Sequence, residues 1–333
     1  MLRIHFTGQD LRRITVAAGP ASMWELLLSL HMVQHRDGRL VFGDWRRDVR
    51  AKVAPDQLRL LLELAPASGY SPDFLTPAEP PAGFEAALQT VLSTPRQSLR
   101  QQLSMISGRR PPSTWIQALA NGEPRALRRL DDAIRAYHEA AIAPYWSSIG
   151  MLVAADQARR GRTLVSHGVD DLLSSLHPRV RWEPPELQVL GMRDRHLQLE
   201  GRGIHLQPSA FCWQVPTKLR DPRLPPILVY PVDHTPGILG PGLGGAVQAA
   251  DPLSVLLGVT RATALEATFS GCTTTQMAEL CQVSLASASH QAGVLRSAGL
   301  ITTRRTGSSV RHEITERGLC LLSARQQFGR PAH

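Results

Sequence analysis

The segment 236–245, PGILGPGLGG, holds five glycines and two prolines in ten residues. Such a run sustains neither helix nor strand, because glycine loses the most backbone entropy on ordering and proline lacks an amide donor. It divides the 333-residue chain into a long stretch, 1–236, and a short one, 251–333, joined by a linker over 237–250. The long stretch has room for a core of its own, and the short one is the size of a small domain.

Hydrophobic residues at 43% and charged residues at 20% are the composition of a folding chain rather than a disordered one. The 37 basic residues against 28 acidic ones give +9, which favours a polyanionic partner but says nothing of the fold. Lys52 and Lys218 are the only lysines; the arginine bias, with abundant Ala, Leu and Pro, reads as GC-rich coding. Apolar runs at 24–30 and 149–155 fall far short of the ~20 residues a membrane span needs. The opening MLRIHFTG has no apolar stretch followed by a small-residue cleavage site. Cys212, Cys272, Cys281 and Cys320 lie far apart without CxxC spacing, which disfavours a zinc knuckle or a disulfide framework. The expectation is a cytoplasmic protein with reduced thiols, no membrane contact, and no metal or cofactor.

The long stretch reads as mostly helical after an opening strand at 2–7. Met23, Leu26, Leu27, Leu30 and Val33 fall near helical spacing and predict an amphipathic helix over 21–35. Prolines at 66, 72, 77, 80 and 81 predict loops, and further helices are expected over 84–93, 99–106, 113–120, 124–137, 144–161 and 164–175. From 180 the texture changes. Trp182 and the segments 187–190, 196–200, 203–207 and 227–232 are short and bounded by Gly, Pro and Asp, predicting a small antiparallel sheet. No repeat of fixed period is present.

The short stretch carries local punctuation at almost every boundary. Asp251 and Pro252 suit a helix start, and helices are expected to 257 and over 260–269. Thr273 and Gln276 fit a capping box opening a helix that runs to 281. A turn at 282–284 ends on Ser284, which suits the cap of the next helix, and Gly299 suits its C′ position. Segments 300–305 and 310–314 predict a hairpin, and Thr315 caps a last helix to about 323. Helix, three-residue turn, helix and basic hairpin is the layout of a winged helix-turn-helix. Met277, Leu280, Val283, Ala288, Ala292 and Leu295 are spaced to pack its two helices together. Ala286, Ser287, Ser289, His290 and Gln291 are left outward, where they can reach base edges in a major groove. Thr273, Thr274 and Thr275 lie at a helix N-terminus that suits a phosphate, and Arg296 adds a further phosphate anchor. Arg304, Arg305 and Arg311 flank the hairpin turn and suit backbone or minor-groove contact. Eight arginines against five acids give 251–333 a charge of +3. The alternative is a small helical domain used for packing or dimerisation. The fold expected is α+β: a mostly helical N-terminal region with a small antiparallel sheet, plus a C-terminal winged helix-turn-helix domain.

The run SLASASHQAGVLRSAGLI over 284–301, followed by TRRTG over 303–307, resembles the recognition helix and wing of ArsR-type transcriptional regulators. WELLLSLH at 24–31, SLHPRVRWEPP at 175–185 and PILVYPV at 226–232 are similar to a long subgroup of these regulators, which joins an uncharacterised region to a C-terminal winged helix. The resemblance implies a homodimer on a two-fold-related double-stranded DNA operator, acting as a repressor released by a signal. Two departures stand out. Gln291 occupies the position where the family has histidine, so sequence preference does not carry over. Metal-sensing members have Glu-Leu-Cys-x-Cys, whereas this chain has Glu279, Leu280, Cys281, Gln282 and Val283, and one thiol is too few for a soft-metal site.

Other signals have plainer readings. GPGLGG at 240–245 matches GxGxxG, but seven residues separate it from the preceding strand-like segment, so it reads as a hinge. His31 and His35 lie four apart without a third ligand and read as helix-end polar residues. No serine elbow, Walker loop or DxD pair is present, so no enzymatic nucleophile or base is named. The long region, with Trp115, Tyr137, Tyr145, Trp146, Trp182, Phe211 and Trp213, exceeds what a winged helix needs to dimerise, and a pocket for a small-molecule effector or a partner is expected there. A second functional reading is a protein-binding adaptor or anti-regulator, because the recognition helix has no cation before Arg296.

Overall fold

The computed structural model describes residues 1–78, 83–106, 112–234, 239, 256–268, 271–281, 283–306, 309–319 and 321, with backbone alone at 39, 40, 259, 305, 306 and 309. The chain is α+β and forms two compact units, Met1–Gly245 and Ala246–His333. The division falls within 237–250, of which Leu239 is described; the GxGxxG match at 240–245 lies outside the described residues.

The first unit opens with β1 (Leu2–His5), α1 (Gly8–Leu11) and β2 (Ile14–Val16). Helices α2 (Ser22–Gln34), α3 (Arg39–Lys52), α4 (Pro55–Leu64), α5 (Phe84–Leu92), α6 (Arg96–Ser104), α7 (Thr114–Ala120), α8 (Pro124–Ala141) and α9 (Trp146–Ser174) follow. Strands β3 (Val180–Glu183), β4 (Glu186–Val189), β5 (Arg195–Gln198), β6 (Ile204–Ser209) and β7 (Ile227–Pro231) complete it.

Helix α2 is not amphipathic as expected. Eleven of its thirteen residues are buried, and it packs against α3, α5 and α8 as the central helix of the larger core. A helix buried on nearly all sides belongs inside a unit rather than on its surface. Helices α3 and α4 have no counterpart among the elements expected from the sequence. The former buries Val41, Phe42, Trp45 and Val49, a helical spacing hidden among arginines and aspartates. Helix α9 covers both helices expected over 144–161 and 164–175, and its break falls at Gly168 (φ 87°, ψ −173°) rather than at 162–163.

The strands do not form one antiparallel sheet. One sheet has the order β3-β4-β1-β5, with β1 antiparallel to β4 and parallel to β5. The other, β2-β6-β7, is parallel throughout. The reason is long-range: β1 inserts between β4 and β5, and β2 adds beside β6, so the N-terminal strands set the pairing of the C-terminal ones. All five residues of β7 are buried, as expected for a parallel strand covered on both faces. Leu2 and Ile4 join Leu187, Val189, Leu206 and Tyr230 in a second core, distinct from the core around α2.

The second unit comprises α10 (Val259–Ala267), β8 (Cys272–Thr273), α11 (Thr274–Leu280), α12 (Leu285–Ser297), β9 (Ile301–Thr306) and β10 (Ser309–Ile314). Its antiparallel sheet has the order β8-β10-β9, so the expected hairpin gains a third, two-residue strand. Leu265, Met277, Ala288, Ala292, Leu295 and Ile301 form its core. The helix start expected at 251–252 lies outside the described residues, as do 322 and 323 at the end of the last expected helix.

Candidate nucleic-acid interface

The geometry of α11 and α12 follows from caps. Thr273 Oγ1 accepts from the Gln276 amide at 3.2 Å, and Gln276 Oε1 accepts from the Thr273 amide at 3.0 Å, closing the capping box. Ser284 Oγ accepts from the Ser287 amide at 3.2 Å and fixes the start of α12. At the other end Gly299 takes φ 71°, its amide bonds to Arg296 O, and the Leu300 amide bonds to Leu295 O at 2.9 Å. This paired closure needs a left-handed residue at C′, which glycine adopts without strain. The chain therefore leaves α12 directly into β9.

Small Ala288 and Ala292 are buried with Leu295 on the inner side of α12. Ala286, Ser289 and His290 are exposed together on its outer side, and Ser287 is half-buried beside them. Leu280 departs from the expected packing and is 60% exposed. Helix α11 buries Met277 and Ala278, and the residue one turn beyond Met277 is half-buried Cys281, so Leu280 turns outward. Leu285, at the first position of α12, is also exposed at 55%.

Among the predicted residues on the two helices, Gln291 and Thr274 bond side chains elsewhere in the unit. Gln291 is half-buried, and its Oε1 accepts from Arg261 Nε at 2.9 Å. Thr274 Oγ1 lies 3.0 Å from His312 Nε2, and Thr303 Oγ1 lies 3.0 Å from His312 Nδ1. His312 is buried; burial and then the nearby Arg296 charge lower its pKa, which keeps the ring neutral. The ring thereby ties the start of α11 to the hairpin. Arg261 and His312 escape sequence reasoning, because nothing local marks either as a partner of the outer face.

Thr275 and Arg296 are exposed. Arg304 and Arg311 face each other across the β9–β10 register, with Glu313 at 3.9 Å from the first and 3.7 Å from the second. Arg311 also lies against Gly271, where an added Cβ would stand 2.8 Å from its guanidinium. Arg305 pairs with Val310 in the register, and its side chain lies outside those described.

Cys272 is buried and Cys281 half-buried, and burial pushes both thiols up, away from the thiolate a soft metal would need. His31 and His35 are occupied separately, by Ser71 Oγ at 3.0 Å and Ala67 O at 2.9 Å. Among the described residues no group of three or more His, Cys, Asp or Glu is placed to hold a metal ion, and no helix is long and apolar enough to cross a membrane. No family model, curated protein or solved structure matches the chain.

Proposed function

We propose that 251–333 is a winged helix-turn-helix that binds double-stranded DNA, and that the chain is a homodimeric transcriptional repressor of the ArsR type it resembles. One observation carries this reading. A capped helix, α12, presents short polar residues at its N-terminal end, and a closed helix terminus delivers the chain straight into a hairpin bearing Arg304 and Arg311. Short side chains at a helix start suit base edges, while arginines on a hairpin suit phosphates. In this reading Ser287, Ser289, His290 and Gln291 read bases beside Ala286. Thr273, Thr274, Thr275, Arg296, Arg304, Arg305 and Arg311 position the backbone. The first unit holds the dimer or receives a signal.

The test is fluorescence anisotropy of the full chain on its own upstream DNA across a salt series, with random-sequence competitor. Tight binding that survives the competitor is expected. Binding without sequence preference that collapses with salt would leave only the charge of +9 at work and would overturn the reading. A second reading, a protein-binding adaptor, is favoured by Leu280 and Leu285, whose exposed side chains flank the turn between α11 and α12. Competitor-insensitive DNA binding unchanged by Leu280→Ser with Leu285→Ser would exclude it.

A further inference from the structure

A cavity of about 450 Å³ opens in the first unit, at the seam where the α2-centred core meets the core built on β1. That volume lies in the range that accepts a small molecule. Trp24, Leu27 and Leu28, one stripe of α2, form its apolar floor together with Leu2 and Met192. The Trp24 indole N–H is buried and donates to no described group.

The rim has the opposite character. Arg193, Arg195, Lys218 and Arg220 line it, and Asp73 is the one carboxylate among the lining residues. Among the described residues none of the four cations is in an ion pair. The acids closest to them in the chain are engaged elsewhere: Asp194 with Arg3 at 2.8 Å and Asp221 with Arg223 at 2.6 Å. Asp73 uses its two oxygens to accept from the amides of Arg220 (2.9 Å) and Asp221 (2.8 Å). Lys218 Nζ donates to Leu219 O at 2.7 Å, and Arg220 lies over the Tyr70 ring. Burial and then the Arg195 charge hold the Lys218 ammonium below its ordinary pKa, with the Asp73 charge acting against them. His31 adds no charge near neutrality, since burial takes its pKa down to about 4.

We propose that this cavity binds an amphipathic organic anion, a carboxylate or phosphate monoester on an apolar body, with the body on the Trp24–Leu27–Leu28 floor and the head among Arg195, Lys218 and their neighbours. An apolar floor alone would accept a neutral molecule. The rim, with four cations to the single carboxylate of Asp73, selects a negative head, because a charged acceptor there gains charge-assisted hydrogen bonds from cations that are in no ion pair among the described residues. The site lies wholly within the first unit, so it stands whether or not the second unit binds DNA.

Isothermal titration of the full chain with phenylbutyrate, phenylbutyl phosphate and phenylbutyramide tests it. Both anions should bind saturably, the better of them at least about tenfold tighter than the amide, and the preference between them identifies the head group. Arg195→Ala with Lys218→Ala should remove that advantage and leave the amide affinity within about twofold, with the far-UV circular dichroism unchanged. Should that variant fail to fold, Arg193→Gln with Arg220→Gln is read in the same way. Equal affinity for anion and amide, an anion advantage that survives a folded rim variant, or no saturable binding of any of the three would overturn the proposal.

Discussion

Glu25 shows how much a single buried side chain can organise. It sits in the first turn of α2, fully buried, and accepts from Ser209 Oγ at 2.9 Å and from the amides of Ala210 and Phe211 at 2.9 and 3.0 Å. Its loss would leave three donors without an acceptor, so Glu25→Ala should destabilise the first unit by about 3 kcal/mol in urea denaturation. Burial pushes its pKa up to about 7. Under the proposed DNA-binding reading, Gln291→Ala should relax sequence preference. Arg261→Ala should alter it too, because Arg261 holds the Gln291 carboxamide. By contrast, Arg304→Ala with Arg305→Ala should weaken binding to all sequences and lower the salt slope by about 2 in a log–log plot. Anisotropy on specific and random duplexes separates the two patterns. The caps at Thr273, Ser284 and Gly299 are readable in the sequence because each depends on residues at most a few positions away. The partners of Glu25 and Gln291 are not, since they lie 184–186 and 30 residues off.

Elements obey the same division between near and far causes. The helices of the second unit are bounded by their own residues, and the structure starts α11 and α12 next to the caps Thr273 and Ser284. Helix α3 is hidden because its core face is narrow and its other faces are charged, and α2 looks two-sided until its neighbours cover every face. Strand segments from 180 onward are visible as short β-prone runs, whereas their sheet order depends on β1 and β2. The break in α9 tests a local cause directly. Gly168 adopts φ 87° and ψ −173° in open space, so no neighbour would obstruct a Cβ and any penalty is purely that of the backbone. Gly168→Ala should therefore cost about 1–3 kcal/mol in chemical denaturation, although the added methyl meets nothing. A neutral effect would show that α9 straightens freely at this point.

The balance of buried titratable groups sets how the whole molecule responds to acid. His31 and His138 are taken down to about 4 by burial, and burial also lowers His177, His205, His234 and His312. Such rings are neutral when folded, so the unfolded chain binds protons first and stability falls as pH drops from about 6.5 toward 4. Glu25 has the opposite sign: its contribution is full below about 4.5 and is lost as pH rises through about 7. With six lowered rings against two raised carboxyls, Glu25 and Asp73, the melting temperature should fall between pH 7 and pH 5. The fall should steepen in Glu25→Gln, which removes one of the two opposing groups; a shallower one would mean the histidine environments do not govern acid stability.

The position of β1 carries a consequence for synthesis. Leu2–His5 lies between β4 and β5 in the finished sheet, yet Glu186–Val189 and Arg195–Gln198 are translated about 180–190 residues later. At ~5–20 residues per second, the first strand waits roughly ten to forty seconds for both neighbours. During that interval Leu2 and Ile4, buried in the native unit, have no native sheet to cover them. A ribosome-bound nascent chain thus carries an apolar segment, Leu2–His5, that only nearly two hundred further residues can enclose, and β1 is paired on both sides only when β5 emerges.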